Sequence, residues 1–257
     1  MSAYWTLLLT PGFAAAAAAV FVAGFLRGFV GFGGGIASVP VLSVVFGPLL
    51  AVPITTVMGM PALIQLLPES IRHGERAVLV PICVGVFLAT PIGCFVLVST
   101  NPQIMKIAIS ALVLLMVGML ACNWRPRGAT TGISLAAGAA SGLIHGAAGI
   151  GGPPLVAVAL SRPGHAVQQR ANVLGAVAAV SLATIFPLWY FDLYTTEVFV
   201  IGLVLVPVYS GSAWLGAKYF SQEGQRYYRT GALVILALIG VITLLIALND
   251  YRSMLEP

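Results

Sequence analysis

Hydrophobic positions run almost unbroken over long stretches of this chain. No Lys, Arg, Asp or Glu occurs from Gly28 to Pro68 or from Gly128 to Ser161. Runs of about 20 apolar residues match the roughly 30 Å hydrocarbon core of a bilayer. Six segments therefore predict plain spanning helices: Leu49 to Leu67, Ala77 to Val98, Ile107 to Cys122, Ala171 to Phe191, Val198 to Ala217 and Thr230 to Leu248. Two others, Pro11 to Phe46 and Ala129 to Leu160, are too long for a single crossing. Each predicts a helix, a break and a shorter second helix.

The same glycine cluster sits in both long segments. Gly28-Phe-Val-Gly31-Phe-Gly33-Gly34-Gly35 returns 118 residues later as Gly146-Ala-Ala-Gly149-Ile-Gly151-Gly152-Pro153-Pro154. In this register Gly24 falls on Gly142, and Arg27 falls on His145. A fixed offset of this kind predicts an internal duplication, with a first transmembrane repeat over 1–124 and a second over 125–257. A break exposes backbone groups at membrane depth, which is tolerable only where protein or a watery cavity surrounds it.

Composition agrees with the pattern. Of 257 residues, 60% are hydrophobic and 7% charged, against about 25% charged in a soluble domain. The formal charge of +5 is therefore a marker of topology and no sign of nucleic acid. Met1 to Leu26 has no Lys or Arg ahead of its apolar stretch, unlike a secretory signal, so it reads as the first membrane element. Cys83, Cys94 and Cys122 form no Cys/His cluster, so no metal or cofactor is expected.

Charge placement then sets orientation. Arg72, Arg76, Arg125, Arg127, Arg162, Arg170, Lys218, Arg226 and Arg229 go to the cytoplasmic side under the positive-inside rule, with Lys106 and Arg252 as exceptions. Ser99–Gln103, Asp192–Glu197 and the turn at Gly47-Pro48 become external loops, and both termini become periplasmic. Ala129 to Leu160 must start and finish inside, and Pro11 to Phe46 must start and finish outside. The expected architecture is an all-α polytopic membrane protein of two inverted-topology repeats. Each repeat is a broken, re-entrant helix hairpin followed by three transmembrane helices, an arrangement used by secondary transporters.

The breaks carry the chemistry. A second half-helix exposes its first N–H groups and the positive end of its dipole, and glycine lets backbone approach a ligand closely. Gly31, Gly33, Gly34 and Gly35 in the first copy, and Gly149, Gly151 and Gly152 in the second, are thus candidate anion binders. Arg27 lies inside an otherwise uncharged segment, where a charge is functional by default. All seven acidic residues lie in loops or ends, so no carboxylate is expected at depth to neutralise it. His145 is titratable near neutral pH. Thr55, Thr56 and Asn172, early in the helix after each break, are candidates to hydrogen-bond a substrate. Plainer readings stand beside these. Gly24/Gly28 and Gly142/Gly146 are spaced for close helix packing, Arg27 for snorkelling to an interface, His145 for a structural hydrogen bond, and the polar helix residues for packing. The cluster is not a nucleotide motif, since it reads G-x-x-G-x-G-G with no Gly-Lys-Ser/Thr after it.

At these residues the chain resembles the sulfite exporter TauE/SafE family. G-x-x-G-x-G-G-G with Pro40 shortly after, and G-x-x-G-I-G-G-P in the second half, carry the resemblance over nearly the whole length. The Arg72-His73-Gly74 loop adds to it. Pro153 and Pro154 depart from the first copy, which has Gly35 and Ile36. The resemblance implies an inner-membrane transporter, in the exporting direction, of small sulfur-containing anions such as sulfite or organosulfonates. The expected partners are a small anionic substrate and the lipid bilayer, without nucleic acid; a homodimer is compatible with the reading. An anion channel, or a carrier of another small organic anion, is the alternative. No nucleophile motif points to an enzyme.

Overall fold

The computed structural model describes residues 10–30, 33–122, 126, 130–161, 165–218 and 225–255. Gly31, the repeat boundary at 124/125, Arg125, Arg127, Arg162, Glu223 and Glu256 lie outside the described residues. Ten helices make up the described chain: α1 (Pro11–Val30), α2 (Gly34–Phe46), α3 (Pro48–His73), α4 (Arg76–Ser99), α5 (Pro102–Ala121), α6 (Thr131–Ala148), α7 (Gly152–Ala159), α8 (Ala166–Tyr190), α9 (Thr196–Lys218) and α10 (Gln225–Leu255). Several run past the apolar stretches that announced them, as α3 does through Glu69-Ser-Ile-Arg72. Hydropathy marks the thickness of the oily layer, whereas a helix continues wherever i to i−4 bonds can form.

Among the described residues, six helices are long and apolar enough to cross a membrane: Pro11–Gly28 within α1, then α4, α5, Val167–Tyr190 within α8, α9, and Gly231–Met254 within α10. Displacing α1 to α5 by 118 residues lands them on α6 to α10, and the starts of α2 and α3 fall on the starts of α7 and α8. The offset read from the glycines therefore recurs in the order of elements, closest at the starts of α2/α7 and α3/α8.

The chain divides into two compact units, each drawing on both sides of the 124/125 boundary. The first is Met1–Met58, Thr100–Gly118 and Tyr194–Pro257; the second is Gly59–Ser99 and Met119–Leu193. Within the first, α1 packs on α9 and α10 lies against α2. Lys106 Nζ meets Asp250 Oδ2 at 3.3 Å, and Ser110 Oγ donates to Thr243 Oγ1 at 3.1 Å, tying α5 to α10. A carboxylate thus matches the charge of Lys106, which weakens the hold of the charge rule on this residue.

Within the second unit, α6 packs along α4 through interleaved glycines. A Cβ on Gly142 would stand 2.7 Å from the Val86 carbonyl, and one on Gly138 or Gly146 would run into Ile82 or Thr90. From the other side, Gly85 and Gly93 meet the carbonyls of Leu135 and Leu143. In lipid no hydrophobic gain separates helix–helix from helix–lipid contact, so close backbone approach through small residues holds such helices together. Leu155 and Val158 of α7 join Val78, Ile82 and Val86 of α4 and Ala176, Val180 and Ala183 of α8 in one buried cluster. Large apolar side chains such as Ile64 (70% exposed) and Leu88 (69%) face outward, as lipid-facing positions require.

Candidate functional site

Both long segments fold back on themselves. A Cβ on Gly12, at the start of α1, would lie 3.2 Å from Val45 Cγ1 at the end of α2, so these helices run antiparallel as a hairpin. At its tip Gly33 adopts φ 95°, a left-handed conformation open to glycine at no steric cost. Its carbonyl accepts from Ile36 N–H at 3.0 Å and Ala37 N–H at 3.4 Å. Among the described residues no side chain caps this N-terminus, so the amides of Gly34 and Gly35 point out of the helix without an intrahelical acceptor. Space beside Gly33 is open, with none of the described residues within 4 Å of a Cβ placed there.

Arg27 occupies the last turn of α1 and is half-buried. Its Nη1 donates to Tyr209 Oη at 3.3 Å, and its guanidinium carbon lies 5.9 Å from the centre of the Tyr209 ring. No carboxylate is paired with it among the described residues; the ion pairs found there are Lys106–Asp250 and Arg170–Glu69. Tyr209, only 3% exposed, belongs to α9. Its hydroxyl rests against Gly34, where a Cβ would displace it. Gly24 and Gly28 bring α9 this close, since a Cβ on either would strike the carbonyl of Tyr209 or Ala213. Close packing accounts for that pair of glycines.

Sequence reasoning missed Tyr209. The available signal was a phenol beside Pro207 and the Ser210-Gly-Ser212 cluster in an apolar span, because a buried tyrosine hydroxyl needs a polar partner. Its separation of 182 residues from Arg27 hid the partner.

The second hairpin tip is wired differently. Gly149 adopts φ 68° and its N–H donates to the His145 carbonyl at 2.7 Å. His145 Nδ1 accepts the Gly151 N–H at 3.2 Å, which in the neutral ring leaves the proton on Nε2. Gly151 is hemmed in by the Ser141 carbonyl and His145 Cβ. Gly152 opens α7 with free space around it, but Pro153 and Pro154 follow and have no N–H to offer. His145 and Arg27 share a register and differ in role, because one turns back onto its own hairpin and the other reaches a phenol on α9.

Three of the remaining candidates bond to backbone. Thr55 and Thr56 donate to the Val52 carbonyl at 2.8 and 3.1 Å. Asn172, 2% exposed, accepts the Glu75 N–H at 2.7 Å through Oδ1 and so secures the start of α4. Gly35 sits half-buried in the first turn of α2. Among the described residues, no three His, Cys, Asp or Glu side chains stand together to hold a metal ion.

The family model described as "Sulfite exporter TauE/SafE" matches residues 16–243. No curated protein and no solved structure matches the chain.

Proposed function

The chain belongs to the sulfite exporter TauE/SafE family of membrane transporters, and on that premise we propose that it exports small sulfur-containing anions, such as sulfite or an organosulfonate, across the bacterial inner membrane. The anion rests at the tip of the first hairpin, between the Arg27 guanidinium and the amides of Gly34 and Gly35. The observation that carries this reading is Arg27 itself, half-buried, joined through the Tyr209 hydroxyl to Gly34 at the start of α2, with no carboxylate paired to it among the described residues. A buried cation is costly unless matched, and helix N-termini favour negative charge. A small oxyanion answers both demands.

The second hairpin has fewer amides to offer and acts mainly as a structural counterpart. Two observations support opposite insertion of the halves: each long segment folds back, and the later helices recur in the same order. A hairpin plus three crossings reverses orientation between copies, with both termini periplasmic, and suits alternating exposure of the site. An inside-negative potential drives anions outward by about 2.3 kcal/mol per charge per 100 mV, so export is downhill.

The test is flux of sulfite and small sulfonates in liposomes containing the purified protein. Saturable flux with counterflow is expected, and Arg27→Gln should reduce it at least about tenfold, the loss of one charge-assisted bond, with insertion unchanged. Equal flux in the variant refutes the site, and flux without saturation or counterflow refutes the carrier.

A further inference from the structure

We infer that Tyr209 positions Arg27 and presents its own hydroxyl proton to the bound anion, so that the site is completed by a residue of the opposite sequence half. The inference rests on the anion site proposed above and names a determinant of its selectivity.

A phenol has one proton and two lone pairs. One lone pair receives Arg27 Nη1–H at 3.3 Å, and the ring lies under the guanidinium at 5.9 Å. This contact fixes the guanidinium from one side, and among the described residues nothing accepts from its remaining N–H groups, which are left for a guest. The hydroxyl rests on Gly34, where the nearby backbone groups without an intrahelical acceptor are N–H donors. Among the described residues no hydrogen bond takes the phenolic proton, and an oxyanion at the same place would accept it.

The rest of α9 holds this pose. Gly24 and Gly28 let the helix reach backbone contact with α1, and Ser212 Oγ donates to the Tyr209 carbonyl at 3.0 Å. Guanidinium, phenol and amides are all donors. Such a site selects a fully ionised oxyanion with several acceptor oxygens, and discriminates against groups that carry their own protons.

The experiment measures KM and maximal rate of sulfite flux, and the melting temperature, for Tyr209→Phe, Gly34→Ala, their double variant and Arg27→Gln in liposomes. Tyr209→Phe keeps the ring under the guanidinium and removes only the hydroxyl. It should raise KM about tenfold, the loss of a hydrogen bond to a charged group, with maximal rate and melting temperature retained. Gly34→Ala places a methyl where the hydroxyl sits and should raise KM similarly. In the double variant the two effects should fall short of multiplying, because both act through the same atom.

An unchanged KM in Tyr209→Phe, with flux lost in Arg27→Gln, overturns the inference and leaves the anion site standing. Normal flux in Arg27→Gln overturns both. Should Tyr209→Phe fail to insert, Gly34→Ala decides, and an unchanged KM there overturns the inference.

Discussion

Gly142→Ala is the sharpest test of how the second unit is held together, because its consequence follows from three distances. The added methyl would stand 2.7 Å from the Val86 carbonyl oxygen, 3.0 Å from Thr90 Oγ1 and 3.0 Å from Val86 Cα. Comfortable contact begins near about 3.5 Å, so α4 and α6 must separate by roughly 0.8 Å. Two of the three obstacles belong to backbone and cannot rotate away. A gap of that size forfeits about a quarter to a half of the dispersion energy of each contact along the seam. Overpacking of this kind costs typically about 1–3 kcal/mol, and no hydrophobic gain offsets it inside a bilayer. Gly132 lies on the same helix with nothing within 4 Å of its Cβ position. There alanine should be neutral, or stabilise by up to about 1 kcal/mol through helix propensity. The assay is reversible unfolding in mixed micelles, comparing the two variants with the parent. Should Gly142→Ala unfold together with Gly132→Ala, the glycine seam does not hold α6 on α4 and the packing account is wrong.

Two further outcomes follow from the hairpins. His145→Ala removes the acceptor of the Gly151 N–H and should lower stability by about 0.5–2 kcal/mol, the usual range for a lost cap. Its effect on anion KM should be smaller than that of Arg27→Gln, and an equal or larger rise in KM would place His145 at the anion instead. Single cysteines at Thr10 and Thr130, the residues just before α1 and α6, should react with a membrane-impermeant maleimide from opposite sides in a background lacking Cys83, Cys94 and Cys122. Labelling from one side would rule out inversion.

Fold class, helix positions and the repeat of the glycine cluster were legible along the chain because each depends on local quantities. Twenty apolar residues match a bilayer wherever they occur, and Gly28 to Gly34 aligns with Gly146 to Gly152 without knowledge of any contact. What each repeated residue does was not legible. Gly24 and Gly28 fit the approach of α9, Gly34 makes room for a phenol, and Gly33 alone among them takes up the left-handed turn. The same letter in one motif therefore answers three different physical demands. Arg27 and His145 diverge for a similar reason: a side chain's partner is set by the helix that packs against it, and α9 delivers a tyrosine from 182 residues away. Thr55 and Asn172 each bond a backbone group, the Val52 carbonyl one turn back and the Glu75 amide in the turn before α4, and the second of these partners lies 97 residues away along the chain. Order along the chain determined how many helices there are and where they break. Only packing between distant segments decided that Tyr209 meets Arg27, and only the folded hairpin tip decided that the Gly151 amide is already occupied, since such contacts depend on which groups can approach closely enough to touch.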